Sequence, residues 1–233
     1  MTFFDTETTG LDVKSDKLVS VYCENKKKKW YLNALTNPEM IIPKESSDIH
    51  HITNDKVIDS PTNRSVLASL VTIFDDTKLI AGYNIMKFDM PLVINLCNMY
   101  NINIDFKSYK YVDVYHLLKV VLTKEDLEQI GSLKLSNVFK FVTGKDLQNA
   151  HDAESDVKGC KKVLDWVLNN YDVDDCIYLT HEYLAGQPVG LDYKFYTGKH
   201  PEKTVSDLIT QDPNYLKFMQ SKGLLILDSS ITI

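Results

Sequence analysis

The hydrophobic pattern changes its period part-way along the chain, and that change restricts the fold more than any other feature. Near the N-terminus the apolar residues run in short strand-like stretches. Thr2 to Thr6 is mostly apolar, Leu18 to Glu24 alternates through Leu18, Ser20 and Tyr22, and Lys29 to Leu35 carries Trp30 and Tyr31. Gly10 marks a turn between the first two stretches. Three strands this close predict an antiparallel meander. The Lys26 to Lys29 run reads as a solvated turn between the second and third.

From Ser60 onward the spacing becomes helical. Asn63 to Phe74 places Val66, Leu67, Leu70, Val71 and Phe74 on one face. Lys78 to Tyr83 reads as a buried strand, and Pro91 as the opening of a helix. Tyr111 to Val114 predicts a short strand, and Ser132 to Val142 a helix ended by Gly144. Asp152 to Asn169 is the longest predicted helix. Strands first and strand–helix alternation afterwards predict an α/β fold, with a mixed sheet flanked by helices.

After Tyr171 the character shifts. A Gly/Pro loop spans Gly186 to Gly190, Leu191 to Phe195 reads as a strand, and Thr204 to Ile209 and Pro213 to Gln220 read as short helices. The expected division is a domain over 1–175 and a small α+β module over 186–233. The four cysteines, Cys23, Cys97, Cys160 and Cys176, are scattered and form no C-x-x-C, which fits a reducing, cytoplasmic compartment. No apolar run reaches the roughly 20 residues of a membrane span, and Asp5 and Glu7 stand where a signal peptide would be basic and apolar. The net charge of -6 argues against nonspecific coating of nucleic acid, yet leaves room for a local grip on a few phosphates. That grip would fall to lysines, because the chain has 25 Lys and a single Arg, Arg64. The same bias, with abundant Asn and Ile, suggests an AT-rich coding genome and leaves a viral or phage origin open.

The chemistry is carried by carboxylates. Asp5 and Glu7 are two apart on a predicted strand, so they share a face at roughly 7 Å between Cα atoms. Two carboxylates on one face of a central strand repel and lose solvation, and divalent cations offset both. Asp89 sits between a predicted strand and the Pro91 helix. Asp156 falls in the first turns of the long helix, and His151 in the loop before it.

Together these residues resemble the DEDDh family of 3′–5′ exonucleases, also called DnaQ-like. The first motif is F-F-D-T-E-T-T-G-L-D at 3–12, the second G-Y-N-I-M-K-F-D at 82–89, and the third H-D-A-E-S-D at 151–156. The segment I-H-H-I-T at 49–53 is similar to the family's H-G-I-T, and L-K-L-S-N-V at 133–138 to the helix before its third motif. The resemblance covers roughly residues 1–170. The chain departs from the pattern at Tyr83, where many members have His, and at His51, where they have Gly.

The resemblance implies a ribonuclease H-like fold and a two-metal hydrolysis of nucleic acid. Asp5, Glu7 and Asp156 would hold one Mg²⁺, with Asp5 and Asp89 holding a second, and Mn²⁺ substituting. The two ions, about 3.5–4 Å apart, would clamp an in-line displacement at phosphorus. His151 would be the general base, and the product a 5′-nucleoside monophosphate released from a 3′ end. Thr6, Thr8, Leu11, His50 and Asn84 match positions near the terminal nucleotide, and Lys87, beside Asp89, is a candidate to meet a phosphate.

Residues 191–222 are similar to a small module of exodeoxyribonuclease X-like proteins, through Gly198, Lys199, Lys203, Thr204, Asp212, Pro213 and Tyr215. Its aromatics, Tyr193, Phe195, Tyr196, Tyr215 and Phe218, are either stacking faces for bases or the module's own core. The expected partner is the 3′ end of single-stranded DNA. Two alternatives stand beside it: trimming of RNA 3′ ends, and service as a proofreading subunit that binds a DNA polymerase.

Overall fold

A computed structural model describes residues 1–233 except 26, 28, 172, 174–187, 196–198, 201–202 and 222–224. Cys176, Gly186, Tyr196, Gly198 and two members of the lysine run, Lys26 and Lys28, lie outside the described residues. So does most of the expected boundary between the two parts.

The N-terminal meander is β1 (Thr2–Thr8), β2 (Leu18–Asn25) and β3 (Trp30–Leu35). Short helices α1 (Lys44–His50) and α2 (Asn54–Val57) follow, then α3 (Asn63–Thr77). Next come β4 (Leu79–Gly82), α4 (Asp89–Met99), β5 (Lys110–Asp113), α5 (Val114–Val121) and α6 (Lys124–Ile130). The main fold closes with α7 (Leu135–Thr143) and α8 (Ala153–Asn170). Helices α9 (Val205–Gln211) and α10 (Pro213–Ser221) belong to the C-terminal segment.

The sheet runs β3-β2-β1-β4-β5. β1, β2 and β3 pair antiparallel, and β4 and β5 add in parallel on the other side of β1. This is the mixed α/β sheet of the ribonuclease H-like fold. β1 is therefore central, and its alternation sorts its residues. Thr2, Phe4, Thr6 and Thr8 are buried on one face, where the Phe4 ring meets Phe74 of α3 at 5.0 Å. Phe3, Asp5 and Glu7 occupy the other face, which α8 covers.

Gly82 ends β4 where the backbone turns hard against β1. A Cβ there would lie 2.7 Å from the Phe4 carbonyl oxygen and 2.3 Å from Ile85 Cγ2, so only glycine lets the strands close.

Several expected boundaries shift for local reasons. α4 opens at Asp89, not at Pro91, which stands third in the helix, within the first turn where no N–H is needed. Val114 begins a helix instead of ending a strand, because the Asp113 side chain caps α5 by accepting from Tyr115 and His116 N–H. α7 begins at Leu135 and keeps Gly144 as its left-handed cap. Helices α1, α2 and α6 carry too little periodicity for the sequence to announce them. Leu191 to Phe195 forms no continuous strand; isolated bridges join Val189 to Leu227 and Lys194 to Thr204.

Of the C-terminal aromatics, Tyr193, Phe195 and Tyr215 are buried and pack edge-to-face, Tyr193 on Phe195 at 5.2 Å and Phe195 on Tyr215 at 6.1 Å. They are core, not stacking platforms; Phe218 alone among the described ones is exposed. Among the described residues, no helix is long and apolar enough to cross a membrane.

Candidate active site

β1 delivers Asp5 and Glu7 to one face of the sheet, and the first turn of α8 delivers Asp156 to the same place. One carboxylate oxygen from each lies within 4.8 Å of the others. A central strand fixes the first two, and a helix crossing over that strand fixes the third. Asp152 caps α8 by accepting from Ser155 N–H at 3.0 Å, which sets where the helix starts and hence where Asp156 points.

Asp89 enters from the other side of β1. It is 5% exposed, and its Oδ1 accepts both the N–H of Thr6 at 3.1 Å and the Thr6 hydroxyl at 2.6 Å. His151 stands exposed in front of α8, with a left-handed backbone at φ 67°. Its N–H donates to Asp156 Oδ2 at 3.2 Å, so His151 and Asp156 are tied through the backbone.

The four carboxyl groups act on one another's ionisation. Burial, and then the charges of Asp89, Asp156 and Glu7, hold the Asp5 carboxyl well above the usual carboxylate range. Burial with the Asp156 and Asp89 charges pushes Glu7 up to about 9. Burial pushes Asp89 up to about 7 against the pull of the Thr6 donors, and Asp156 up to about 6 against the pull of the His151 N–H. A folded state that gathers four acids at this cost favours a positive charge among them. Asp156 Oδ1 is buried without a hydrogen-bond partner, which a cation would satisfy. The donor set is all oxygen and suits a hard divalent ion such as Mg²⁺ or Mn²⁺.

The acids and His151 line one cleft of about 890 Å³. Thr6, Leu11, Asn84 and Lys87 also line it. Leu11 is 86% exposed at the rim, and Lys87 is exposed at the edge of α4. Thr6 lines the cleft with both its donors given to Asp89. Thr8 and His50 stand outside the cleft lining. The Thr8 hydroxyl donates to the Gly10 carbonyl at 2.7 Å, which steadies the turn after β1. His50 is buried, its Nδ1 accepting from Ile52 N–H at 3.0 Å. Burial lowers its pKa, with the Thr8 backbone pulling the other way.

Both departures from the family pattern have a local role. His51 takes a left-handed backbone at φ 58° and closes α1 through its N–H to Ser47, which is why glycine suits that position. The Tyr83 hydroxyl donates to the Leu133 carbonyl at 2.8 Å, tying the second motif to the segment before α7. Tyr115, Leu133, Lys134 and Leu135 complete the far wall of the cleft, and only Leu133 to Leu135 carried any signal in the sequence.

A sequence profile of the RNase T exonuclease family matches residues 2–164. The epsilon subunit of DNA polymerase III from Treponema pallidum (strain Nichols) is 26% identical over 176 residues, 73% of this chain and 77% of that protein. An uncharacterised exonuclease of Escherichia phage 186 is 29% identical over 107 residues, 46% of this chain and 54% of that protein. Among solved structures, E. coli exonuclease I in complex with a dT13 oligonucleotide matches with a TM-score of 0.59 at 19% identity, over 72% of this chain. The match spans 40% of exonuclease I, and at that identity it is a likeness of fold. The profile match covers the three acidic motifs and the sheet that assembles them: the chain belongs to the RNase T exonuclease family, as a DnaQ-like exonuclease domain.

Proposed function

We propose that this exonuclease removes nucleotides from the 3′ end of DNA, releasing 5′-nucleoside monophosphates. The observation that carries the reading is the convergence of Asp5, Glu7 and Asp156 oxygens within 4.8 Å, beside Asp89 and His151 in one open cleft. Asp5, Glu7 and Asp156 would hold one divalent cation, and Asp5 with Asp89 would hold a second. When bound, the cations neutralise the scissile phosphate and favour the hydroxide form of a water.

The protein's own residues do the rest. His151, exposed at the cleft, takes a proton from the attacking water. The water oxygen bonds to phosphorus, the P–O3′ bond breaks, and the departing 3′-oxygen takes a proton from solvent water. Thr6 keeps Asp89 aimed at the site. Leu11 at the rim and Asn84 in the cleft lining would face the terminal nucleotide, with Lys87 near the phosphate that follows. Thr8 and His50 act behind them by holding the turn that presents Leu11.

The likeness to a polymerase subunit supports a DNA substrate and a role beside a DNA polymerase, as in proofreading or repair. The likeness to a phage protein supports a phage- or virus-encoded enzyme acting in the host cytoplasm. The C-terminal segment, 186–233, is proposed as a separate small module of exodeoxyribonuclease X-like type.

The test is digestion of matched 5′-labelled DNA and RNA oligonucleotides with Mg²⁺, with Mn²⁺ and with EDTA. A metal-dependent ladder shortening from the 3′ end, faster on DNA and lost in Asp5→Ala, is the expected result. Faster cleavage of RNA would reassign the substrate, and no cleavage of either polymer would overturn the reading.

A further inference from the structure

Asp113 belongs to none of the three motifs and lines no part of the cleft, yet it is the most heavily engaged buried carboxylate near the site. Its side chain is 0% exposed. It stands at the end of β5, in register with Gly82 on the neighbouring β4, where the chain leaves the sheet toward Asp89. Oδ1 accepts the Asn84 N–H at 3.0 Å, and Oδ2 accepts the Met86 N–H at 3.0 Å. Oδ1 also accepts the N–H of Tyr115 at 3.0 Å and of His116 at 3.3 Å. His116 Nδ1 lies 3.1 Å from Oδ2.

One carboxylate therefore grips two segments at once. On one side is the start of α5. On the other is the 83–88 loop, which holds Asn84 in a left-handed conformation at φ 60°. That loop is tight: Lys87 N–H donates to the Asn84 carbonyl at 3.2 Å, and Met90 N–H to the Ile85 carbonyl at 2.9 Å. Asp89 follows directly. A left-handed asparagine in a turn costs energy unless the surroundings hold it. Two charge-assisted bonds from a carboxylate fixed on the sheet supply that hold.

We propose that Asp113 is a positioning residue for the nuclease reaction: it locks the 83–88 loop so that Asn84 and Asp89 face the cleft. This rests on the nuclease reading above. An asparagine at 113 presents one oxygen and one N–H₂ group. It keeps one of the two loop bonds and sets a donor against the other N–H. Asp89 is then held less firmly against Thr6, and Asn84 and Lys87 move with the loosened loop, while Leu11 on the turn after β1 is untouched. The loss should fall chiefly on turnover, with a smaller rise in KM from the displaced Asn84 and Lys87.

The experiment compares full-length wild type, Asp113→Asn and Val71→Ala, the last a buried change on α3 that reports general destabilisation. Steady-state cleavage of a 5′-labelled oligonucleotide is measured below the melting point of each. Expected is a kcat lower by about 10- to 100-fold in Asp113→Asn with a smaller rise in KM, and no such loss in Val71→Ala. A kcat equal to wild type, or a loss matched by Val71→Ala, would overturn the proposal. Amide hydrogen exchange in wild type supplies an arm that needs neither activity nor a folded variant. Protection of the Asn84 and Met86 amides comparable to those of β4 supports the lock, and exchange at open-loop rates overturns it. Wild type that cleaves nothing would defeat the nuclease reading, while the exchange data would still decide whether the loop is locked.

Discussion

Asp89 on α4 and Thr6 on β1 are joined by two hydrogen bonds to a single carboxylate oxygen, 3.1 Å from the backbone N–H and 2.6 Å from the hydroxyl. The sheet thereby fixes an acid that the sequence places 83 residues away. Asp89 owes its place in the site to this bond as much as to its own helix.

Thr6→Val removes the hydroxyl and keeps the shape and the backbone donor. A lost hydrogen bond to a charged group costs about 1.5–3 kcal/mol. The Thr6 donors pull the Asp89 carboxyl down toward its value of about 7, so their loss moves it higher. More of Asp89 is then protonated at neutral pH. In metal-free protein the Asp89 carboxyl should titrate at higher pH in Thr6→Val than in wild type, as followed by carboxyl-carbon NMR in EDTA. An unmoved titration would show that Thr6 does not tune Asp89.

Glu7→Gln should stabilise the metal-free protein while abolishing activity. Glu7 is raised from 4.5 to about 9, so the folded state binds its proton more tightly than the unfolded one. The stability this provides is present in full below pH 4.5 and is lost as pH rises through about 9. In EDTA, the melting temperature of Glu7→Gln should exceed that of wild type by a margin that widens from pH 5 to pH 9. Each kcal/mol of relief is worth roughly 2–4 °C in a chain of this size. A margin independent of pH would contradict the burial and repulsion that raise Glu7.

Mg²⁺ or Mn²⁺ should reverse that order. A cation that binds only the folded state raises stability with its concentration. Thermal shift against added Mn²⁺ should be large for wild type and flat for Asp156→Asn, whose buried Oδ1 is the acceptor left without a partner. Equal shifts in both would place the ion elsewhere.

His151→Asn tests the base without disturbing the fold. The side chain is exposed, and the bond to Asp156 comes from the backbone, which any residue retains. Asparagine also tolerates the left-handed φ of 67°. Activity should fall by about 10²–10⁴-fold at an unchanged melting temperature. A loss below tenfold would remove His151 from the role of general base.

Gly82→Ala should be costly although it adds one methyl group. The new Cβ meets the Phe4 carbonyl oxygen at 2.7 Å, and a backbone atom in a central strand has nowhere to go. Overpacking of this kind costs about 1–3 kcal/mol. Thermal unfolding of the variant should show the loss, and a melting temperature equal to wild type would mean that β1 and β4 can separate without cost.

Much of this protein is legible in one dimension because the relevant physics is local. Period-two burial along β1 puts Asp5 and Glu7 on one face, and the five-residue step from His151 to Asp156 spans the cap of α8. Those patterns, with the three acidic motifs, determine the fold class, the family and the carboxylate set. Tertiary structure decided what those patterns leave open. It set the start of α4 at Asp89, buried the C-terminal aromatics against one another, and placed Thr8 and His50 behind the cleft. It also gave Asp113, an ordinary aspartate at a strand end in the sequence, its grip on a loop 27 to 29 residues away. Such a grip depends on which strands lie side by side, and that is settled by sheet pairing across distant segments, which no local period encodes.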